Sequence, residues 1–352
     1  MHKFLIIIVN VILVKNIYPQ RIIGNSCTHE RSNSPGVCKL LTHCKRIRDE
    51  VVFSYELPQT CGFQGTQPIV CCPNPRQPGS ISETKCREYS SHTKEEQLCG
   101  HNIVKRVLGG IPIGRTEFPH MAMIGFQTGS SDNLRWLCEG SLISEQYILT
   151  AADCLISETD GEPTVVLLGV TNLNDTNKRQ EIKIVTNVVH PEYKNVSRYH
   201  DIGLVKLEKP IEMSSYVRPA CLNTHFDSPV GAAVATGWGL THYAENNSEH
   251  LLKVTLDIAK YDLCKKNYEV TSNLSRGIIN DMHICTGRDE DRTGICQTCA
   301  GGPLQIYHNN DPTLCMYDIV GVTSFGRGCS INTRVSHYIK WIEDVVWPES
   351  GQ

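Results

Sequence analysis

The sequence predicts an all-β protein that is preceded by a small disulfide-stapled domain and ends in a helix. Short runs of alternating apolar and polar residues, such as residues 182–185 and 202–207, are typical of β-strands. Apolar residues recur at helical spacing from Tyr338 to Val346. Six cysteines lie close together near the amino terminus, between Cys27 and Cys72. We therefore expect a stapled module, a connecting segment and a β-rich body.

The amino-terminal residues 1–19 have the pattern of a secretory signal peptide. Lys3 precedes an apolar run over residues 4–14. The alternative, an uncleaved membrane anchor, is disfavoured because this run is shorter than the ~20 residues that span a bilayer. The 352-residue chain has a formal net charge of -3, which argues against nucleic acid or an anionic membrane as a partner.

Cysteines and glycosylation sequons also indicate an extracellular protein. The chain contains 17 cysteines, a usage typical of an oxidising compartment. Four Asn-x-Ser/Thr sequons begin at Asn174, Asn195, Asn246 and Asn273. Together with the signal peptide, they predict a secreted, disulfide-bonded glycoprotein.

The stapled module spans residues 27–72. A segment of this size cannot bury much core, so it needs cross-links. Its cysteine spacing alone leaves fifteen pairings open, and another small knotted module is an alternative. The six cysteines, which end in an adjacent pair, resemble the clip domain found ahead of arthropod serine proteases. That resemblance implies the pairs Cys27–Cys71, Cys38–Cys61 and Cys44–Cys72.

Residues 73–106 form a connecting segment that opens with a Pro- and Gly-rich stretch, residues 73–80. It ends in Lys105-Arg106, followed by Val107-Leu108-Gly109-Gly110. This junction resembles the activation site of trypsin-like zymogens. The resemblance implies that an upstream trypsin-like protease cleaves after Arg106 and frees the amino group of Val107.

Residues 107–352 resemble the chymotrypsin-like S1 peptidases over nearly their whole length. The strongest motif is Cys296-Gln297-Thr298-Cys299-Ala300-Gly301-Gly302-Pro303-Leu304, which is similar to the family's Cys-Gln-Gly-Asp-Ser-Gly-Gly-Pro-Leu. The resemblance implies two packed β-barrels with a carboxyl-terminal helix. Cys86-Arg87-Glu88-Tyr89 and the turn at residues 322–326 are similar to the Snake-type clip proteases.

The resemblance also places the three catalytic positions. Ala300 stands where the family has its nucleophilic serine, and Asp153 stands where it has the base histidine; Asp201 matches the retained third member. A methyl group cannot attack a carbonyl carbon. An aspartate with an ordinary pKa near 3.9 is a poor base for a hydroxyl group. We therefore expect no functional catalytic residue.

Three further positions depart from the family pattern. Thr298 replaces the oxyanion-hole glycine, and Cys299 replaces the aspartate that receives the new amino terminus. Gly294 occupies the position of the aspartate that binds Arg or Lys in trypsin-like enzymes. A displaced nucleophilic role for Cys299 is an alternative, but the motif offers it no base. We therefore expect a degenerate oxyanion hole, activation switch and specificity pocket.

The resemblance implies further disulfides in the connecting segment and the body. They are Cys86–Cys315, Cys99–Cys221, Cys138–Cys154, Cys264–Cys285 and Cys296–Cys329, which leaves Cys299 as a free thiol. The histidines show no metal-ligand spacing near a carboxylate, so we predict no metal and no other cofactor.

These observations identify the chain as a clip-domain serine protease homologue without catalytic activity. The resemblance implies a cofactor, regulator or decoy in an arthropod extracellular immune cascade of the prophenoloxidase (melanisation) or Toll type. Its expected partners are active clip-domain proteases or prophenoloxidase, in haemolymph, with venom or saliva as other locations. The alternatives are an active trypsin-like endopeptidase, and a recognition or venom protein that binds microbial surface polysaccharide or blocks melanisation.

Overall fold

The computed structural model describes residues 23–30, 34–45, 47–48, 51, 58–74, 77–91, 111–127, 134–156, 161–227, 229, 231–238, 249–287, 300–327 and 329–348. The chain divides into two compact units. One runs to Gln77 and includes the carboxyl-terminal residues from Pro348; the other runs from Pro78 to Trp347. Several predicted features lie outside the described residues: the signal peptide, the junction at Arg106 and Val107, Cys99, Asn246, Gly294, Cys296, Thr298 and Cys299.

The amino-terminal unit is a four-stranded antiparallel sheet. Its strands are β1 (Ser26–His29), β2 (Ser34–Leu40), β3 (Thr60–Gln64) and β4 (Gln67–Pro73), in the order β1-β2-β4-β3. Three disulfides join it: Cys27–Cys71, Cys38–Cys61 and Cys44–Cys72. They are the pairs that the clip resemblance implies. The half-cystines themselves make up much of the small buried core, so cross-links replace apolar burial here.

Among the described residues, the second unit contains fourteen strands and three α-helices. The strands are β5 (Ile111–Pro112), β6 (Met121–Gln127), β7 (Leu134–Leu142), β8 (Tyr147–Thr150), β9 (Pro163–Leu168), β10 (Gln180–Val189), β11 (Gly203–Leu207), β12 (Cys221–Leu222), β13 (Ala232–Gly237), β14 (Leu252–Asp257), β15 (His283–Thr286), β16 (Pro303–Tyr307), β17 (Tyr317–Arg327) and β18 (Cys329–Arg334). The helices are α1 (Ser80–Ser91), α2 (Tyr261–Asn267) and α3 (Val335–Val346).

These strands form a closed barrel and a second, larger sheet. The barrel has the order β10-β11-β8-β7-β6-β9. The eight-stranded sheet has the order β15-β18-β17-β16-β13-β14-β5, and β12 pairs in parallel with β17. Helix α3 buries Tyr338, Ile339, Ile342 and Val346, as their helical spacing predicts. The predicted all-β architecture with a closing helix is confirmed.

Helix α1 was not predicted, because the stretch before it is rich in helix-breaking residues. The buried carboxylate of Glu343, which lies in α3, caps the amino terminus of α1. That carboxylate accepts hydrogen bonds from the backbone N–H groups of Gly79, Ile81 and Ser82, and from the Ser82 hydroxyl. Unpaired N–H groups at a helix start favour an anion, so the stabilising contact comes from a residue distant in sequence.

Two predicted disulfides are wrong. Cys86 pairs with Cys221, not with Cys315, and Cys221 is therefore unavailable to Cys99. Helix α1 packs against β12 and brings the Cα atoms of Cys86 and Cys221 to 4.9 Å. Cys315 is disulfide-bonded to a cysteine outside the described residues.

The remaining predicted bridges lie in the body. Cys138–Cys154 and Cys264–Cys285 form as the resemblance implies. Cys296–Cys329 involves side chains outside the described residues. Within the described part of the chain, no helix has the length and apolar character needed to cross a bilayer.

Candidate active site

The site centres on Asp201, which lies in the turn before β11 and is only 3% exposed. Its Oδ1 accepts a hydrogen bond from the backbone N–H of Asp153 at 2.9 Å. Its Oδ2 accepts from the Ser324 hydroxyl, and its carbonyl oxygen accepts from the Thr333 hydroxyl at 2.7 Å. Burial raises the pKa of the Asp201 carboxyl, while the bonds from Ser324 and Asp153 oppose that shift. Hydrogen bonds from Asp153, which follows β8 of the barrel, and from Ser324, in β17 of the larger sheet, thus hold the carboxylate in place.

Asp153 follows β8 and projects an exposed carboxylate beside Asp201. The Tyr193 hydroxyl donates a hydrogen bond to Asp153 Oδ1 at 3.2 Å. Burial, together with the nearby carboxylates, raises the pKa of Tyr193, so its phenol stays protonated and remains a donor. In the part of the chain that the structure describes, no histidine nitrogen is hydrogen-bonded to Asp153 or Asp201. The two carboxylates and the phenol can bind protons but present no imidazole.

His200 directly precedes Asp201, but its side chain contacts α3. Its backbone is left-handed, with φ of 59°. Its Nδ1 lies 3.3 Å from the Tyr338 hydroxyl, and its ring stacks on His190 with the centroids 5.1 Å apart. Burial lowers the pKa of His200. The ring is therefore engaged in helix packing and is not positioned as a displaced base.

Ala300 is half-buried against the apolar core of this unit. Its carbonyl oxygen accepts a hydrogen bond from the Glu139 N–H at 3.0 Å. Gly301 follows with φ of +82°, and a Cβ there would clash with the Thr150 hydroxyl and the Glu139 carbonyl. The turn therefore requires glycine and presses the backbone at Ala300 against β7.

Glu139, in β7, is a site residue to which the sequence assigned no role. Its side chain is 2% exposed, and its Oε1 accepts a hydrogen bond from the Trp238 N–H at 2.6 Å. Its Oε2 is buried and has no hydrogen-bond partner among the described residues. Burial raises the pKa of Glu139 to about 8. The signal in the sequence was an acidic residue directly after Cys138, in the run Leu137-Cys138-Glu139-Gly140.

Possible metal ligands do not form a usable set among the described residues. One group contains Cys86, Cys221, His308 and Asp318, and another contains Cys27, Cys38 and Cys61. All five cysteines are in disulfides, so they present no thiolate. The His308 imidazole is instead paired with Asp318 at 2.8 Å.

Three of the four sequon asparagines lie among the described residues. Asn174, Asn195 and Asn273 are all exposed, so each could accept a glycan without disturbing the core.

Comparison with known proteins agrees with this geometry. The trypsin family's sequence model matches residues 107–342. The chain is 34% identical over 350 residues to serine protease snk of Drosophila melanogaster, covering 93% of this chain and 79% of that protein. It is 31% identical over 358 residues to phenoloxidase-activating factor 3 of Holotrichia diomphalia, covering 92% and 96%.

A third relative is the clotting factor G beta subunit of Tachypleus tridentatus, 33% identical over 271 residues, with 72% of this chain and 84% of that protein covered. The barrel, the buried Asp201 and the stapled amino-terminal unit fit the same group. The chain belongs to the trypsin family, among the clip-domain serine proteases of arthropods.

Proposed function

We propose that this protein is a secreted, non-catalytic member of its family that acts as a cofactor, regulator or decoy in an extracellular immune cascade. The cascade is of the prophenoloxidase or Toll type. One observation carries the proposal: Asp201 keeps its supporting hydrogen bonds, while the neighbouring base position holds Asp153 and the nucleophile position holds Ala300.

The chemistry of these side chains supports the absence of peptide hydrolysis. Acyl transfer in this family needs a nucleophile and a base that accepts its proton. The methyl group of Ala300 has no lone pair. Asp153 has no hydroxyl group to deprotonate.

Residues outside the described part of the chain agree with this interpretation on sequence grounds. Thr298 would bring a β-branched side chain to the oxyanion-hole position, and losing one oxyanion donor costs about a hundredfold or more. Cys299 would be a free thiol in place of the aspartate, and Gly294 would leave the specificity pocket without its carboxylate. No metal or cofactor is part of the proposal.

The partners follow from the relatives and from the junction at Arg106. One relative is named phenoloxidase-activating factor 3, which favours an active clip-domain protease or prophenoloxidase as the partner. An upstream trypsin-like protease would cleave after Arg106. The signal peptide, three exposed sequon asparagines and the disulfides support secretion into haemolymph, with venom or saliva as other sites.

The absence of catalysis is tested on purified protein, before and after cleavage at Arg106. We expect no labelling by a fluorophosphonate probe and no hydrolysis of arginyl, tyrosyl or leucyl peptide substrates. An active trypsin-like protease, assayed in parallel, is the positive control. Peptide turnover that disappears in an Asp153→Ala or Cys299→Ala variant would contradict the proposal.

The cascade role is tested in cell-free haemolymph by measuring phenoloxidase activity. Cleaved protein, uncleaved protein and an uncleavable Arg106→Gln variant are added at equal concentrations. We expect the cleaved form to change the activity and the Arg106→Gln variant to behave like the uncleaved form. If neither cleaved nor uncleaved protein has an effect, the melanisation role is rejected.

A further inference from the structure

Two of the glycosylation sequons lie on segments that contact each other. The backbone N–H of Arg198 donates a hydrogen bond to the carbonyl oxygen of Asn273 at 2.9 Å. Asn195 comes three residues before Arg198, and three residues span at most about 11 Å. Asn195 and Asn273 therefore belong to one patch of the surface.

Further contacts fix these two segments to each other. The Tyr199 hydroxyl accepts a hydrogen bond from the Arg276 backbone N–H at 2.7 Å and donates one to the Gly277 carbonyl oxygen at 2.9 Å. The Arg276 guanidinium also lies over the Tyr199 ring, 5.9 Å from its centroid. Tyr199 is buried in the apolar core, so it anchors both segments there. The fold thus sets where the two sequons lie relative to one another.

The first of these segments borders the site that contains Asp153 and Asp201. Two residues before Asn195, the Tyr193 hydroxyl donates its hydrogen bond to Asp153 Oδ1. Three residues after Asn195, the positive charge of Arg198 is close enough to oppose the rise that burial causes in the pKa of Asp201. Asn195 lies between these two contacts and is therefore at the rim of the site.

Both asparagines can carry a glycan in the folded protein. Asn195 is exposed and lies in a turn that is closed by a hydrogen bond from the Ser197 N–H to the Lys194 carbonyl oxygen at 2.7 Å. Asn273 is also exposed, and its Oδ1 accepts a hydrogen bond from the Thr271 hydroxyl at 2.7 Å. The sugar is attached to the other amide atom, the nitrogen, so this contact can persist in the glycoprotein.

The same segments carry the two most exposed large apolar side chains among the described residues. Val196, within the first sequon, is 79% exposed, and Val270, three residues before Asn273, is 68% exposed. Apolar surface at the rim of a cleft favours contact with another protein or a ligand. A bulky, hydrophilic glycan beside each valine would cover that surface.

We propose that N-linked glycans on Asn195 and Asn273 form one screen along this rim and keep other proteins away from Asp153 and Asp201. The inference rests on the secretion in the proposed function, because the sugar is attached in the secretory pathway. There the amide nitrogen bonds to the anomeric carbon of an oligosaccharide that is carried on a lipid diphosphate. The bond from that carbon to the phosphate oxygen breaks, the lipid diphosphate leaves, and the nitrogen loses one proton.

The screen assigns partner binding to another part of the protein. A protease that cuts proteins must admit a peptide chain beside its catalytic residues, so sugars along this rim would hinder turnover. A chain without catalysis has no such requirement. The partner of the proposed cofactor or decoy would therefore bind surface away from the segments that carry Asn195 and Asn273.

The test uses trypsin as a protein-sized probe of the bond after Lys194. Lys194 is exposed and lies in the turn at the rim, and exposed loop tips are preferred sites of proteolytic cleavage. Every protein in the comparison carries Asn195→Gln, which removes the sugar beside the cleaved bond. Any remaining protection must then come from the glycan on Asn273.

In this background we compare the intact second sequon with Ser275→Ala, which removes the glycan but keeps Asn273. Asn174→Gln, which removes a glycan from a third sequon, is the matched control. We expect trypsin to cleave after Lys194 several-fold faster in Ser275→Ala and at an unchanged rate in Asn174→Gln. Trimming the sugars with an endoglycosidase should give the same increase without a further substitution.

A small reagent separates screening from a change in the turn itself. Acetylation of the Lys194 amine by an N-hydroxysuccinimide acetate should proceed at the same rate in all these proteins, because a small molecule passes between the sugars. Faster acetylation in Ser275→Ala would attribute the trypsin result to an altered turn and would overturn the proposal.

Equal trypsin cleavage with and without the Asn273 glycan would also overturn it. So would secreted wild type in which glycopeptide mass spectrometry finds Asn195 or Asn273 without sugar. If Asn174 carries sugar in that protein, secretion stands and the screen alone fails. Absence of sugar from all three asparagines, in protein that stays inside the cell, would overturn both the screen and the secretion on which it rests.

Discussion

Asp201 is held by a network of hydrogen bonds that does not use the side chain of its neighbour Asp153. Its carboxylate is fixed by the backbone of Asp153 and by the Ser324 hydroxyl, and these contacts do not depend on the side chain at position 153. The position of the Asp201 carboxylate is therefore independent of the side chain at position 153. The same holds for Ala300, whose backbone is positioned by Glu139 and by the Gly301 turn.

Restoring the hydroxyl alone should not restore activity. In the Ala300→Ser variant we expect the new hydroxyl to lack a base, because among the described residues the side chain beside Asp201 is the carboxylate of Asp153 and not an imidazole. We expect no fluorophosphonate labelling above that of the wild type. The double variant Ala300→Ser with Asp153→His is assayed beside it. Labelling of the double variant but not of the single variant would attribute the lack of activity to the missing imidazole base. Peptide hydrolysis by the single variant would contradict this account.

Glu139 should make the stability of the uncleaved protein depend on pH. Its pKa is raised from 4.5 to about 8 by burial. Between these values the unfolded chain loses the proton before the folded chain does, so the free energy of unfolding falls as pH rises from about 4.5 to 8. The stabilisation that comes from the Glu139 proton is fully present below about pH 4.5 and is lost above about pH 8.

Urea unfolding of the uncleaved protein at pH 5 and pH 8.5 measures this dependence. We expect Glu139→Gln to lose less stability than the wild type between the two pH values, while the exposed-site control Glu162→Gln follows the wild type. An identical decline in all three proteins would contradict the pKa assigned to Glu139.

Helix α1 owes its position to contacts with distant parts of its unit. The disulfide Cys86–Cys221 joins it to β12, and the Glu343 carboxylate caps its first turn. Tyr89 adds a hydrogen bond from its hydroxyl to Glu145 at 3.1 Å. The helix has few apolar residues of its own, so these contacts determine where it lies.

Removing the cap should destabilise the second unit. Glu343 is 4% exposed and accepts four hydrogen bonds, of which three come from backbone N–H groups. We expect Glu343→Ala to lower the free energy of unfolding by about 3 kcal/mol, since hydrogen bonds to charged groups contribute roughly 1.5–3 kcal/mol. The neighbouring exposed Asp344→Asn is the control and should change stability by less than about 0.5 kcal/mol. Urea denaturation measures both; a similar loss in the two variants would count against the cap.

The chain combines two units that are stabilised in different ways. The unit that ends at Gln77 depends on three disulfides around a small buried core. The unit from Pro78 to Trp347 has large apolar clusters inside its barrel and against α3. Loss of a cross-link should therefore affect the first unit far more than the second.

The paired variant Cys38→Ser with Cys61→Ser tests this difference. Removing a native disulfide from a small secreted domain costs about 2–5 kcal/mol, which is comparable with the stability such a domain has. We expect the amino-terminal unit to unfold near 37 °C while the second unit keeps its transition in calorimetry. Loss of both transitions together would show that the units do not unfold separately.

The sequence by itself determined the fold class and the closing helix, and it predicts which residues stand at the nucleophile and base positions. Apolar periodicity reports burial directly, and the family motifs around Asp153, Asp201 and Ala300 are local in sequence. The three disulfide pairs of the amino-terminal unit followed from the resemblance of residues 27–72 to the clip domain, because all six cysteines lie within that short segment.

Only the tertiary structure decided the pairing of Cys86 with Cys221, the capping of α1 by Glu343 and the isolation of the Glu139 carboxylate. Each depends on residues that are distant in sequence and meet only when sheets and helices pack. Sequence shows that Glu139 is acidic; packing alone shows that it is buried against Trp238 and that one of its oxygens has no hydrogen-bond partner among the described residues. Burial is a property of the folded surroundings, and it raises the pKa of this carboxyl.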